Sequence, residues 1–209
     1  MIAEWGCESR ILGFVSVDLK PFSFETVIQA VDKVRERLLR AAAALEAANV
    51  PYAVVGGNAV AAWVARVDSG AVRNTRDVDV MIRRSDLAAA RLALESVGFI
   101  YRHVADLDLF LDGPDASPRE AVHLVFAGER VRPDELASNP DVDDSESADA
   151  YRIISLEALV KIKLTAWTDK DRVHLRDLSE VGLIDRTWLS RLPPALAARL
   201  EALLADPDG

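Results

Sequence analysis

From Glu25 onward the apolar positions Val27, Ile28, Val31, Val34, Leu38, Ala42 and Leu45 recur at helical spacing, and the run Ala41–Ala44 favours helix strongly. Asn49 and Pro51 stop that helix. "YAVV" (Tyr52–Val55) is a short, wholly apolar run that predicts a buried strand. A helix follows from Asn58 to about Val67, and "DVDVMI" (Asp77–Ile82) alternates as a strand. Ser85 or Asp86 caps the next helix, which runs to about Val97 and closes at Gly98. "DLDLFL" (Asp106–Leu111) and "AVHLVF" (Ala121–Phe126) predict two more strands, joined by a loop rich in Gly, Pro and Asp. The chain then turns polar and acidic, reads as a linker over 137–150, and resumes with "YRII" as a last strand. Ser155 caps a long helix from Leu156 to about Val181, with a break near Thr168–Asp171, and Pro193 and Pro194 open a final helix. At the N-terminus Ile11, Phe14, Val15 and Val17 fit a short edge strand.

Strand, helix, strand, helix, then strands, then helices is the order of an α/β (α+β) sheet domain with a helical C-terminal part. The expected division is an arm over 1–24, a core over 25–136, the acidic linker over 137–150, and a helical part over 151–209 that completes the site.

Charge narrows the partners. With a net charge of −9 among 209 residues, broad nonspecific binding to nucleic acid is disfavoured, although a local basic groove is not. Cys7 is the single cysteine, so neither an internal disulfide nor a cysteine zinc site can form. No basic n-region with an apolar h-region opens the sequence, and no membrane partner is expected; the reading is a cytoplasmic protein.

The candidate chemistry starts from carboxylates. Asp-x-Asp occurs five times, at 77/79, 106/108, 141/143, 169/171 and 206/208, so the spacing alone is uninformative. Asp77 and Asp79 stand apart because they alternate with Val78 and Val80. Both carboxylates then share one strand face, roughly 7 Å apart along it. They also follow Gly56 and Gly57 at a strand–helix junction, where backbone N–H groups and the positive helix end can receive an anion. Paired carboxylates hold Mg²⁺ through oxygen, and metal ions clamp a transferring phosphoryl group. The plainer alternative is a tight turn beside a polar strand face.

Taken together, "VVGGNAVAAW…NTRDVDVMI" resembles the signature of the nucleotidyltransferase superfamily, to which DNA polymerase β belongs. Arg76 before the first aspartate is similar to the AbiEii-type branch of toxin–antitoxin and abortive-infection enzymes. "LEALVKIKLTAWTDKDRVHLRDL" is similar to that branch's lysine-bearing helix. The resemblance spans about Pro51 to Leu178 and implies a nucleotidyltransferase-like mixed sheet with flanking helices. It implies transfer of a nucleoside monophosphate from an NTP to an acceptor hydroxyl (a tRNA end, a protein or a small molecule) with Mg²⁺ or Mn²⁺, and a cognate antitoxin as partner. By position it places Gly56, Gly57 and Asn58 at the triphosphate, Asp77 and Asp79 on metal, and Lys163 near the phosphates. Arg76 belongs to the same nucleotide-binding set, and Asp171 matches the acid of the later motif. Two departures stand out. Nineteen residues separate Gly57 from Asp77, the excess falling in a loop over Asp68–Asn74 that would cover or shape the site. Where the family carries a third acid, this chain has His123 in "VHLVFAGE". A histidine there can serve as a base or a ligand, or leave a nucleotide-binding module that transfers poorly. Asp106 or Asp108 are the candidate substitutes.

The lysine helix has its own anomaly. Lys163 falls inside the apolar stripe of Leu156, Leu159, Val160, Trp167 and Leu178, so it either snorkels out or meets a buried anion. On a straight helix Lys170 and His174 fall on the same side. Asp171 and Asp177 are candidate partners for Arg172, Arg176 or Arg66. Arg73, Arg76, Arg83 and Arg84 could form a small basic patch for an RNA end. His103 reads as a surface residue, and the four tryptophans read as core.

Overall fold

The computed structural model describes residues 23–206; the candidate strand over 11–17 and Trp5 lie outside them. Seven strands form one mixed sheet: β1 (Tyr52–Val55), β2 (Val78–Ile82), β3 (Ile100–Val104), β4 (Leu107–Leu111), β5 (Ala121–Phe126), β6 (Ser145–Ala148) and β7 (Tyr151–Ile154). Their spatial order is β3-β4-β5-β2-β1-β7-β6. β1 runs antiparallel to β2, while β2 with β5 and β1 with β7 are parallel pairs.

Helices cover both faces. α1 (Phe24–Ala47) and α3 (Leu87–Ser96) pack through Leu38, Ala41, Leu45 and Leu94 onto Val54, Val80, Phe110 and Val122. α2 (Gly56–Ala65), α4 (Leu156–Ala166), α5 (Asp169–Glu180) and α6 (Pro194–Ala205) pack onto Ala53, Val55, Met81 and Ile154. Strand side chains alternate between faces, so each central strand feeds both cores. That explains why "YAVV" has no polar position: all four of its residues are buried.

The segment read as a linker over 137–150 supplies the edge strand β6, and β7 docks directly on β1. The C-terminal part is therefore joined to the sheet by strands as well as helices. β3 was not foreseen, nor was β6; both lie at sheet edges and lack a buried alternating face. The expected long C-terminal helix divides at Trp167, which adopts the left-handed region at φ 53, and Thr168 caps α5. Among the described residues no helix is long and apolar enough to cross a membrane.

Candidate active site

The β1–α2 junction is tighter than a turn followed by a helix. The Gly-Gly pair is itself the first turn of α2, and Gly56 takes φ +65. A Cβ on Gly56 would stand 1.9 Å from Asp79 Oδ2, and one on Gly57 would stand 2.9 Å from Thr75 Oγ1. Only glycine lets this backbone press against the β2 carboxylate. Val55, the residue before α2, caps nothing with its side chain, and the first helical turn carries no acid. The leading N–H groups of α2 thus have no side-chain acceptor.

β2 lies beside β1 with Val55 opposite Asp79, and β5 lies on the other side with His123 opposite Asp79. Asp77 sits just before β2. Asp79 and His123 consequently share the sheet face covered by α2, α4 and α5. His123 Nδ1 is 3.7 Å from Asp79 Oδ1, an ion-pair separation, and His123 Nε2 lies 3.0 Å from the Pro118 carbonyl. The Asp79 carboxylate, aided by that carbonyl, raises the imidazole pKa above its ordinary 6.5 against the opposing effect of burial.

Leu109, and not Asp108, stands opposite His123 on β4. Asp108 therefore points to the other face, where it accepts from Tyr101 Oη at 2.5 Å and lies 2.9 Å from His103 Nδ1. It cannot replace the third acid. Asp106 is excluded as well: it is exposed in the β3–β4 turn, at φ 64. His103, read as a surface residue, is exposed, and its Nδ1 lies against the Asp108 carboxylate.

Several other candidates have different partners from those expected. Asn58 Nδ2 donates to the Asp77 carbonyl at 2.7 Å, so its amide pins α2 to the start of β2. Lys163 is buried and does not snorkel; its ammonium meets Asp171 Oδ1 at 2.9 Å. Asp171 also closes a capping box with Thr168 at the head of α5. Burial would raise the Asp171 pKa, but the Lys163 ammonium and the Thr168 donors outweigh it and hold the carboxyl below its ordinary range. The Lys163 side chain still borders a small pocket of about 150 Å³ with Gly56, Asp79 and Glu135. The Arg76 side chain is exposed at the mouth of a larger cleft, and its carbonyl accepts from Arg37 at 3.4 Å.

The lysine that reaches the β2 acidic pair is Lys170, with Nζ 3.1 Å from Asp77 Oδ2. Asp177 pairs with Arg73 Nε at 2.7 Å, while Arg172 and Arg66 pair with Asp169 and Glu146. The expected basic patch is largely neutralised, because Arg83 holds Asp141 and Asp143, Arg84 holds Glu129, and Arg73 holds Asp177. Lys170, His174 and Asp177 follow at i, i+4 and i+7 on α5, and that polar stripe was the signal available in the sequence.

A glycine-only strand–helix junction pressed onto the acidic β2 of a mixed sheet is the arrangement expected from the sequence pattern. The fold is a mixed α/β sheet with helices on both faces. No protein-family model and no curated protein matches the chain. Solved structures do. The antibiotic-resistance factor ANT(2'')-Ia is 18% identical, with 87% of this chain and 90% of that one covered at a TM-score of 0.49. An antigenic nucleotidyltransferase-like protein from Paracoccidioides brasiliensis is 16% identical, with 84% and 87% covered and a TM-score of 0.48. A Helicobacter pylori protein provisionally assigned as a nucleotidyltransferase is 17% identical, with 88% and 79% covered and a TM-score of 0.45.

Among the described residues no three His, Cys, Asp or Glu side chains converge as a ready-made metal cage. Two carboxylates beside an anion-receiving helix end nevertheless suit Mg²⁺ or Mn²⁺, which take one or two protein carboxylates and complete their shell with water and substrate phosphates.

Proposed function

We propose that the protein is a nucleotidyltransferase that moves a nucleoside monophosphate from an NTP to an acceptor hydroxyl. The observation that carries this reading is the contact between Gly56 and Asp79, which brings an anion-receiving backbone and a metal-binding carboxylate to one point. Gly56 and Gly57 would receive the phosphates through backbone N–H groups, and Asp77 and Asp79 would hold Mg²⁺ or Mn²⁺. The metal would supply charge neutralisation at the phosphates. The acceptor oxygen attacks the α-phosphorus, the bond to the bridging oxygen breaks, and pyrophosphate leaves. His123, in its neutral form, takes the acceptor's proton. Lys163 acts indirectly on this reading, by fixing Asp171 and the start of α5. The ion-paired state of Arg73, Arg83 and Arg84 favours an acceptor with a small footprint over a long RNA.

The test is transfer of α-labelled NTPs, with Mg²⁺ or Mn²⁺, to tRNA, to lysate proteins and to small hydroxyl compounds. Label should move with wild type and not with Asp77→Asn/Asp79→Asn. Equal transfer by both proteins defeats the proposal. His123 in place of a third acid favours one second reading, a nucleotide-binding module acting through a partner protein. Metal-dependent NTP binding without transfer would select it. A toxin role restrained by an antitoxin is read on the same residues: expression should slow growth, and Asp79→Asn should relieve it.

A further inference from the structure

A polar cleft of about 430 Å³ lies beside the acidic pair and runs between α2 and α5. The loop over 71–77 forms its third wall, which accounts for the extra residues between Gly57 and Asp77. Its ends are fixed by two ion pairs: Lys170 with Asp77 at one, Arg73 with Asp177 at the other. The seven helical steps from Lys170 to Asp177 make it about 10 Å long. Val60, Ala61, Val64 and Ala71 give it an apolar floor.

Three of its wall residues carry polar atoms with no hydrogen-bond partner among the described residues: Thr75 Oγ1, His174 Nδ1 and Asp177 Oδ2. His174 and Asp177 are more than nine-tenths buried, at 8% and 5% exposure. Unpaired polar atoms sealed from bulk water are costly, and three along one cleft imply a partner that occupies it. Arg73 engages Asp177 Oδ1, which leaves Oδ2 as a fixed acceptor for one donor.

We infer that this cleft seats the nucleoside of the NTP, with Asp177 accepting a hydrogen bond from an exocyclic amine of the base. The inference rests on the proposed nucleotidyl transfer, and three features choose the occupant. The cleft begins at Asp77 and Gly57, where the phosphates would lie, so a group bonded to the α-phosphate reaches it directly. Its apolar floor suits the flat face of a base, and a lone carboxylate oxygen at the far end suits an amino group. No β5 residue lines it, so an acceptor approaching His123 does not compete for the space. Adenine, cytosine and guanine carry the required amine, and uracil does not.

The experiment is equilibrium binding to the full chain, with Mn²⁺, of ATP, UTP and purine riboside triphosphate, which is ATP without its amine. Wild type should bind ATP about tenfold more tightly than either of the others. Asp177→Asn should shrink that gap to within about twofold. Equal binding of all three by wild type, abolished by Asp77→Asn/Asp79→Asn, overturns the cleft assignment and leaves the proposed reaction standing. Failure of every nucleotide to bind overturns both. The wild-type comparison decides the matter even if Asp177→Asn does not fold.

Discussion

Lys170 Nζ lies 3.1 Å from Asp77 Oδ2, so one of the two proposed metal-binding carboxylates is neutralised by a lysine from the first turn of α5. The lysine side chain is about half exposed, and such a pair contributes at most about 1 kcal/mol. A metal ion can displace it, and the freed ammonium is then beside the phosphates. Removing it should have two opposite effects. Lys170→Met should bind Mn²⁺ alone up to about fivefold more tightly, since a competing cation is gone. The same variant should bind NTP–Mn²⁺ more weakly than wild type. Mn²⁺ titration by electron paramagnetic resonance, with and without nucleotide, checks both; two changes of the same sign would refute the exchange.

The Gly56 contact gives a second prediction, and Gly98 supplies the control. Both adopt positive φ, at +65 and +92, but an added Cβ meets Asp79 only at Gly56 and open space at Gly98. Gly98→Ala should therefore cost only backbone strain, on the order of 1 kcal/mol. Gly56→Ala should lower the Tm further and also abolish metal and nucleotide binding, because the Asp79 carboxylate must move. Thermal unfolding combined with binding separates the two effects.

The contrast between those glycines also shows what the sequence could reveal. Gly56, Gly57, Asp77 and Asp79 were legible because their meaning is local: a glycine pair ends an apolar strand, and alternation puts two acids on one face. His123 stood out only through the resemblance, at the position where the family carries a third acid. The partners of Lys163, Lys170 and Asp177 were not legible. Lys170 reaches a carboxylate 93 positions away, and Arg73 reaches one 104 positions away. Periodicity places such residues on a helix face without saying what the face meets. Asp108 was misplaced because relating it to His123 requires the β4–β5 register, which no single strand encodes.

Lys163 and Asp171 give a third prediction. Both are buried and bonded at 2.9 Å, so removing one leaves an uncompensated charge. Lys163→Met should cost about 3–5 kcal/mol of stability. The double variant Lys163→Met/Asp171→Asn should lose distinctly less than the sum of the two single changes, since the stranded carboxylate is gone and the asparagine can still serve the Thr168 cap. Urea unfolding of the four proteins measures the coupling. Strict additivity would mean that the ammonium is not the carboxylate's main partner.

The histidines close the set with a pH prediction whose sign differs between them. Burial pushes His174 down to about 4, with the Lys163 and Lys170 ammonium groups adding to the effect. Between that value and the ordinary 6.5 the unfolded chain binds the proton and the folded protein does not. His174 thus contributes stability that is fully present above pH 6.5 and is lost as the pH falls toward 4. In the metal-free protein His123 behaves oppositely: its folded pKa is raised, so its contribution is full below 6.5 and disappears as the pH rises through the folded value. Imidazole NMR of metal-free protein should show one ring still neutral at pH 5.5, missing from His174→Asn, and another titrating above 6.5, missing from His123→Asn. The stability of His174→Asn should also fall less steeply than wild type between pH 6.5 and 4. If the ring absent from His174→Asn titrates near 6.5, the buried neutral imidazole facing the cleft is wrong, and with it one of the three sealed polar atoms that mark the cleft as a ligand site.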